Sequence, residues 1–277
     1  MVEQVIKQRA ITAILLLVLF LSALFLLPAL GWSVLVLIMV MQGALEWARL
    51  SRLSNQGIHA YLWLTIIMMG LIVWLDIYYP ILQEPLHFLI YGMSALLWLI
   101  IVPLWLYAAW QVHIPFLLML VGWIILIPTG LAMIDLREQG PWWLLAVMGL
   151  VWVADTAAYF SGRKFGKHKL APNVSPGKTW EGVLGALIGV TVYVLLIVWK
   201  MDFFAINGAM PGILMAAWGW VGLAVIGDLF ESAMKRQAGV KDSGALLPGH
   251  GGLLDRIDAL TSTLPLAAML MLYQRLA

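Results

Sequence analysis

Four carboxylates fall into two pairs of equal spacing: Asp228 with Glu231, and Asp255 with Asp258. On a helix, positions three apart share a face. Each pair lies where an apolar run meets a polar segment, so both offer oxygen ligands at a membrane boundary, the kind that hard cations such as Mg²⁺ take. Asp228 and Asp255 read as the principal metal ligands, Asp258 and Glu231 as weaker or supporting ones. Between the pairs stand Lys235, Arg236 and Lys241, then Pro248-Gly-His-Gly-Gly252, and Arg256 follows Asp255. Adjacent glycines let backbone approach a ligand closely. Any one of these residues suits a solvated mixed-charge loop with internal ion pairs. The set as a whole matches phosphoryl chemistry, which needs metal-binding carboxylates and cations that neutralise developing charge.

A second polar segment, residues 161–182, ends in Ser175-Pro-Gly-Lys-Thr-Trp-Glu-Gly182. This reads as a turn set against a helix start, where the hydroxyls of Ser175 and Thr179, the Lys178 ammonium and backbone N–H groups make an anion cradle. Arg163, Lys164, Lys167, His168 and Lys169 read as a basic loop facing anionic headgroups, worth about 1 kcal/mol per cation. Gly177-Lys178-Thr179 resembles the end of a P-loop, but Pro172 stands where that motif requires its first glycine, which excludes a P-loop NTPase. Asp155 lies within an apolar run and is a functional candidate because an intramembrane carboxylate is costly. Its plain alternative is a hydrogen bond to Thr156 or a neighbouring span. Asp76 and Asp135 fall near span ends, where interfacial solvation suffices; His59, His87 and His113 are isolated and take no role.

The elements that must position these groups follow from composition. Of 277 residues, 63% are hydrophobic and 11% charged, with mean hydropathy +0.96. A soluble domain carries roughly 25% charged residues, so the solvent for most of this chain is lipid. Cysteine is absent, which excludes disulfides and thiolate metal sites. A bilayer core needs about 20 helical residues per crossing. The apolar windows predict nine crossings near 11–27, 33–48, 58–79, 87–107, 114–134, 142–160, 181–199, 205–227 and 259–274, with eight as the rival count if Pro28–Gly31 is only a kink. Breaks fall at Pro80, Gln83-Glu84-Pro85, Arg137–Pro141 and Asn207–Pro211. The expected fold is all-α and polytopic. Residues 1–140 would form the N-terminal transmembrane helices, about five spans. Residues 141–277 would form a catalytic membrane domain of about four spans, with loops 161–180 and 229–258. Lys7 and Arg9 before Ile11–Leu27 imitate a signal peptide, but no small-residue cleavage site follows, so this run is expected to be a retained span.

With nine spans and the N-terminus inside, every Lys and Arg except Arg137, Lys200 and Arg275 falls on the inner side. That imbalance is what the positive-inside rule expects, and it puts both polar segments together at the cytoplasmic face of the cell's inner membrane. Trp32, Trp47, Trp110, Trp142, Trp143, Trp180 and Trp199 lie at predicted span ends and read as interfacial anchors.

The polar segments resemble the phosphatidate cytidylyltransferase family, also called CDP-diacylglycerol synthases. Its signature is met by Ser232, Lys235-Arg236, Lys241-Asp242 and Pro248-Gly-His-Gly-Gly-Leu-Leu-Asp-Arg-Ile-Asp258. Asp155 to Lys169 and Ser175 to Gly182 are similar to the family as well, with Gly177 where members often carry a second lysine. The resemblance implies transfer of a cytidylyl group from CTP to phosphatidic acid, giving CDP-diacylglycerol and pyrophosphate, with Mg²⁺ as cofactor. It also implies a homodimer in contact with membrane lipid; no nucleic-acid partner is expected. On that basis Lys178, Lys235, Arg236, Lys241 and Arg256 divide the triphosphate and phosphatidate between them. Ser175, Thr179 and the N–H groups of Gly251 and Gly252 hold phosphate oxygens, and His250 orients a phosphate or the leaving group. A CTP-dependent kinase of polyprenol-type lipids and a transporter using Asp155 are the alternatives.

Overall fold

A backbone in lipid must satisfy its own hydrogen bonds, and apolar runs bounded by proline or charge therefore close into helices. The computed structural model describes residues 2–200, 210–246 and 251–276. Among these, seven helices are long and apolar enough to cross a membrane: α2 (Ala29–Leu50), α3 (Asn55–Tyr78), α4 (Pro80–Tyr107), α5 (Pro115–Gln139), α6 (Pro141–Phe165), α7 (Trp180–Lys200) and α8 (Met210–Gln237). They are preceded by α1 (Val2–Leu26) and followed by α9 (Leu254–Leu276). Each expected crossing falls on one of these helices, although residues 205–209, with the Asn207 break, lie outside the described residues. Pro28, in extended backbone, separates α1 from α2.

Proline sets the helix starts. Pro80, Pro115 and Pro141 occupy the first turns of α4, α5 and α6, where a missing N–H costs no helical bond. The break expected at Pro85 does not occur, because Pro85 lies inside α4. Its lost bond would have gone to Ile81, which is exposed at the helix start. Farther along, a π turn over Leu97–Ile101 precedes Pro103 and keeps α4 continuous, a usual way of absorbing a helix irregularity.

One buried cluster runs through both halves of the chain, from Leu24 on α1 to Leu272 on α9. Trp32 and Trp47 belong to it, and the anchoring role expected for them is thereby corrected. Their indole N–H groups donate to the carbonyls of Met133 and Leu118, at 3.1 and 2.7 Å, so burial leaves no polar group unpaired. Trp110, Trp142, Trp143, Trp180 and Trp199 remain exposed. His87 is likewise not isolated. It is buried between Asp135 at 2.8 Å and Asp76 at 3.2 Å, and the Tyr91 hydroxyl donates to Asp135 at 2.7 Å. This network ties α3, α4 and α5 at the end of the bundle where α9 finishes.

Helices α6 and α7 make the closest pairing, because small residues face each other. A Cβ on Gly189 would stand 2.7 Å from that of Ala157, and one on Gly182 3.1 Å from the Ala158 carbonyl. Between these helices runs a two-stranded antiparallel hairpin, β1 (Lys169–Ala171) and β2 (Ser175–Thr179), with Lys169 opposite Thr179. The expected turn before α7 is thus a strand. With its partner β1 beside it, the segment fills its backbone bonds by pairing.

Candidate active site

The end of the bundle opposite His87 gathers both polar segments. Helix α8 runs beyond its apolar part, so Asp228, Glu231, Ser232, Lys235 and Arg236 all stand on regular helix. Their side chains are therefore held at fixed offsets. Helix α9 starts at Leu254 and presents Asp255 in its first turn. The β1–β2 hairpin brings Lys178 to the same place, and its ammonium lies 2.6 Å from Asp228 Oδ2. This pair joins the two polar segments directly.

Lys235 forms the second junction. Its Nζ lies 2.5 Å from Glu231 Oε2 and 2.6 Å from Asp255 Oδ1, bridging α8 to α9. Asp255 is heavily engaged: its Oδ2 accepts from the Ser243 and Gly252 N–H groups at 2.9 and 2.8 Å, and the Ser243 Oγ lies 3.0 Å away. The Gly252 N–H, expected to meet a phosphate, is thus turned to Asp255. Gly251 has φ +82°, a conformation that glycine adopts without strain.

Asp258 lies within electrostatic range of Asp228, Glu231 and Asp155, so four carboxylates from α6, α8 and α9 crowd one region. Among the described residues no three His, Asp or Glu side chains form a ready metal-ligand group, and the two lysine ammoniums sit among the acids instead. The donors nonetheless fit Mg²⁺. They are all oxygen, and Glu231 Oε1 is buried without a hydrogen-bond partner, a costly state for a carboxylate oxygen.

Beside this cluster a cavity of about 680 Å³ opens between α6, the hairpin, α7 and α8. Arg163, Lys169 and Lys178 supply cations to its wall, Ser175 and Thr179 hydroxyls, and Asp155 and Asp228 the acid side, with Ala158, Val183 and Val225 as apolar lining. Asp155 therefore faces the cavity. Arg163 accompanies it, its guanidinium 3.0 Å from the Tyr159 hydroxyl. Thr179 is buried and its hydroxyl oxygen accepts the Gly182 N–H at 3.1 Å, so it caps α7 as well as lining the wall. Its neighbour Glu181 holds His168 at 2.7 Å, fixing the approach to β1. Lys241 and Arg256 are exposed beside the cluster, and Arg236 reaches back to the Val174 carbonyl at 3.4 Å. His250, with Pro248 and Gly249, lies outside the described residues.

Sequence reasoning missed Glu46. This fully buried acid on α2 accepts from the Leu253 and Leu254 N–H groups, both at 2.9 Å. A lone carboxylate at the end of an apolar span was the available signal. It also missed Arg163 and Tyr159 as members of a cavity wall, because their side chains meet the hairpin only once the chain has folded back.

The fold defines a polytopic membrane protein whose two polar segments meet at one end of the helix bundle. The sequence profile of the Cytidylyltransferase family matches residues 7–274, and the chain belongs to that family. It is similar to the phosphatidate cytidylyltransferase of Haemophilus influenzae, 35% identical over an alignment of 282 positions that spans 94% of this chain and 96% of the relative. The Pseudomonas aeruginosa protein of the same name is 39% identical over an alignment of 278 positions that spans 96% of this chain and 97% of the relative. A third relative, from Staphylococcus saprophyticus, is 43% identical over 138 residues, half of this chain.

Proposed function

We infer that this chain transfers the cytidylyl group of CTP to phosphatidic acid, releasing pyrophosphate and forming CDP-diacylglycerol for phospholipid synthesis. Family membership supports the chemistry, and the observation that carries its location is the Lys178–Asp228 pair joining two polar segments beside a cavity. The lipid phosphate oxygen attacks the α-phosphorus of CTP in line, the bond to the β-phosphate oxygen breaks, and pyrophosphate leaves with that electron pair. The nucleophile is already anionic, so no base is needed. Catalysis consists of orienting two polyanions and neutralising the charge they bring together.

Asp228, Asp255, Asp258 and Glu231 would hold Mg²⁺, which supplies positive charge to the phosphate oxygens when bound. Lys178 and Lys235, which pair with these acids, then have their ammoniums available to phosphate. Arg163 and Lys169 add to the cavity wall, while Lys241, Arg256 and Arg236 stand around the signature loop. Acyl chains stay in lipid while the phosphate rises along the wall of α6, α7 and α8. The active site and N-terminus face the cytoplasm, the membrane is the inner one, and the protein works as a homodimer.

Asp228→Ala should lower turnover by about 100-fold or more, as loss of a group acting on transition-state charge does, while the protein still inserts in membranes. Near-parental rates in the purified variant with Mg²⁺ present would refute the assignment.

A further inference from the structure

Glu46 stands on α2, about 200 residues before the signature loop, and is fully buried (0% exposed). Each of its oxygens takes two donors. Oε1 accepts from Gln42 Nε2 at 2.7 Å and the Leu253 N–H at 2.9 Å. Oε2 accepts from the Leu254 N–H and the Ser243 hydroxyl, both at 2.9 Å. The two backbone donors belong to the start of α9, where N–H groups lack helical partners and a negative charge is favoured. Ser243 links Glu46 to Asp255, since its Oγ lies 2.9 Å from one carboxylate and 3.0 Å from the other.

This contact also accounts for a glycine. A Cβ on Gly252 would land on Ser243 Oγ and Glu46 Oε2, and one on Gly244 would stand 3.1 Å from Glu46 Oε1. The second glycine of the Gly251-Gly252 pair is thus required by a carboxylate arriving from the other half of the chain.

We propose that Glu46 is a positioning residue for cytidylyl transfer: it clamps the start of α9 and the Ser243 turn so that Asp255 and Lys235 present their charges to the metal and phosphates. This rests on the function proposed above. The Leu253 and Leu254 N–H groups fix one backbone donor on each oxygen, so only an acceptor at both positions satisfies them, and Glu46→Gln, though isosteric, must turn its NH₂ group against a backbone N–H.

The test uses purified full-length protein and two readouts: the Mg²⁺ concentration that half-maximally raises the unfolding temperature without substrate, and kcat and KM for CTP. E46Q should fold, yet its Mg²⁺ midpoint should rise and its kcat fall by about 10–100-fold, the usual effect of disturbing a group that orients a metal ligand. G252A should shift the Mg²⁺ midpoint in the same direction, and adding E46D, which withdraws the carboxylate by one methylene, should reverse part of that shift. The parental chain's own Mg²⁺ response and lipid product report separately on the function itself. Midpoint and kcat within about twofold of parental in E46Q, outside the range expected for such a group, would overturn the proposal. So would an unshifted Mg²⁺ midpoint in G252A should E46Q fail to fold.

Discussion

Asp228 and Lys235 each belong to α8 and each reach a different partner element: Asp228 the hairpin through Lys178, Lys235 the start of α9 through Asp255. A single charge-removing change should therefore disturb two elements at once. Lys235→Ala would leave Glu231, already holding one unpartnered oxygen, and Asp255 without their shared cation. Breaking a partly buried ion pair in this way costs about 3–5 kcal/mol. K235A should accordingly lower both the unfolding temperature and kcat, and K235R should restore stability better than activity. A K235A protein with parental kcat would remove Lys235 from the site. The carboxylates and cations were legible as residue types at telling intervals. Their pairing was not, because nothing in the spacing says that Lys178 will meet Asp228 or that Asp255 will accept two backbone N–H groups of its own loop. Glu46 was missed for the same reason: its partners at the start of α9 and in the Ser243 turn lie more than 190 residues away.

At the scale of the element, the hairpin and the two helix starts it serves are the decisive parts. Thr179 closes the hairpin and caps α7. Thr179→Ala should cost about 1 kcal/mol, the usual worth of a cap, and T179S, which keeps the oxygen, should not. Equal unfolding temperatures for T179A and parental protein would show that the cap is dispensable. At the far end, His87 holds Asp76 and Asp135 together on α3 and α5. His87→Ala leaves two carboxylates crowded without their common partner and should destabilise the protein by about 3 kcal/mol, with kcat unchanged; a stable H87A protein would contradict this. Apolar windows and prolines located the helices because lipid permits little else. The hairpin went unseen, since strands of three and five residues carry no periodic signal, and Pro85 misled because a proline in the second turn removes one hydrogen bond without ending the helix.

For the whole molecule, the antiparallel bundle puts the proposed phosphate site and the His87 network at opposite ends, and the proposal that the former faces the cytoplasm rests on the distribution of Lys and Arg. The chain has no cysteine, so single cysteines are clean probes. In intact spheroplasts, a cysteine at Gln139 should react with a membrane-impermeant maleimide and one at Lys169 only after permeabilisation; the reverse pattern would invert the topology. Hydropathy made the helices readable from the start, whereas the cavity depends on which faces of α6, α7 and α8 meet, a matter of packing that no span boundary reveals. The most direct measurement incubates purified protein with phosphatidic acid, Mg²⁺ and CTP labelled at either the α- or the γ-phosphate. Label from the α-position should enter the lipid, label from the γ-position should appear as pyrophosphate, and neither should move in D228A. A lipid labelled from the γ-position, or α-label transferred as well by D228A, would contradict the site and its chemistry.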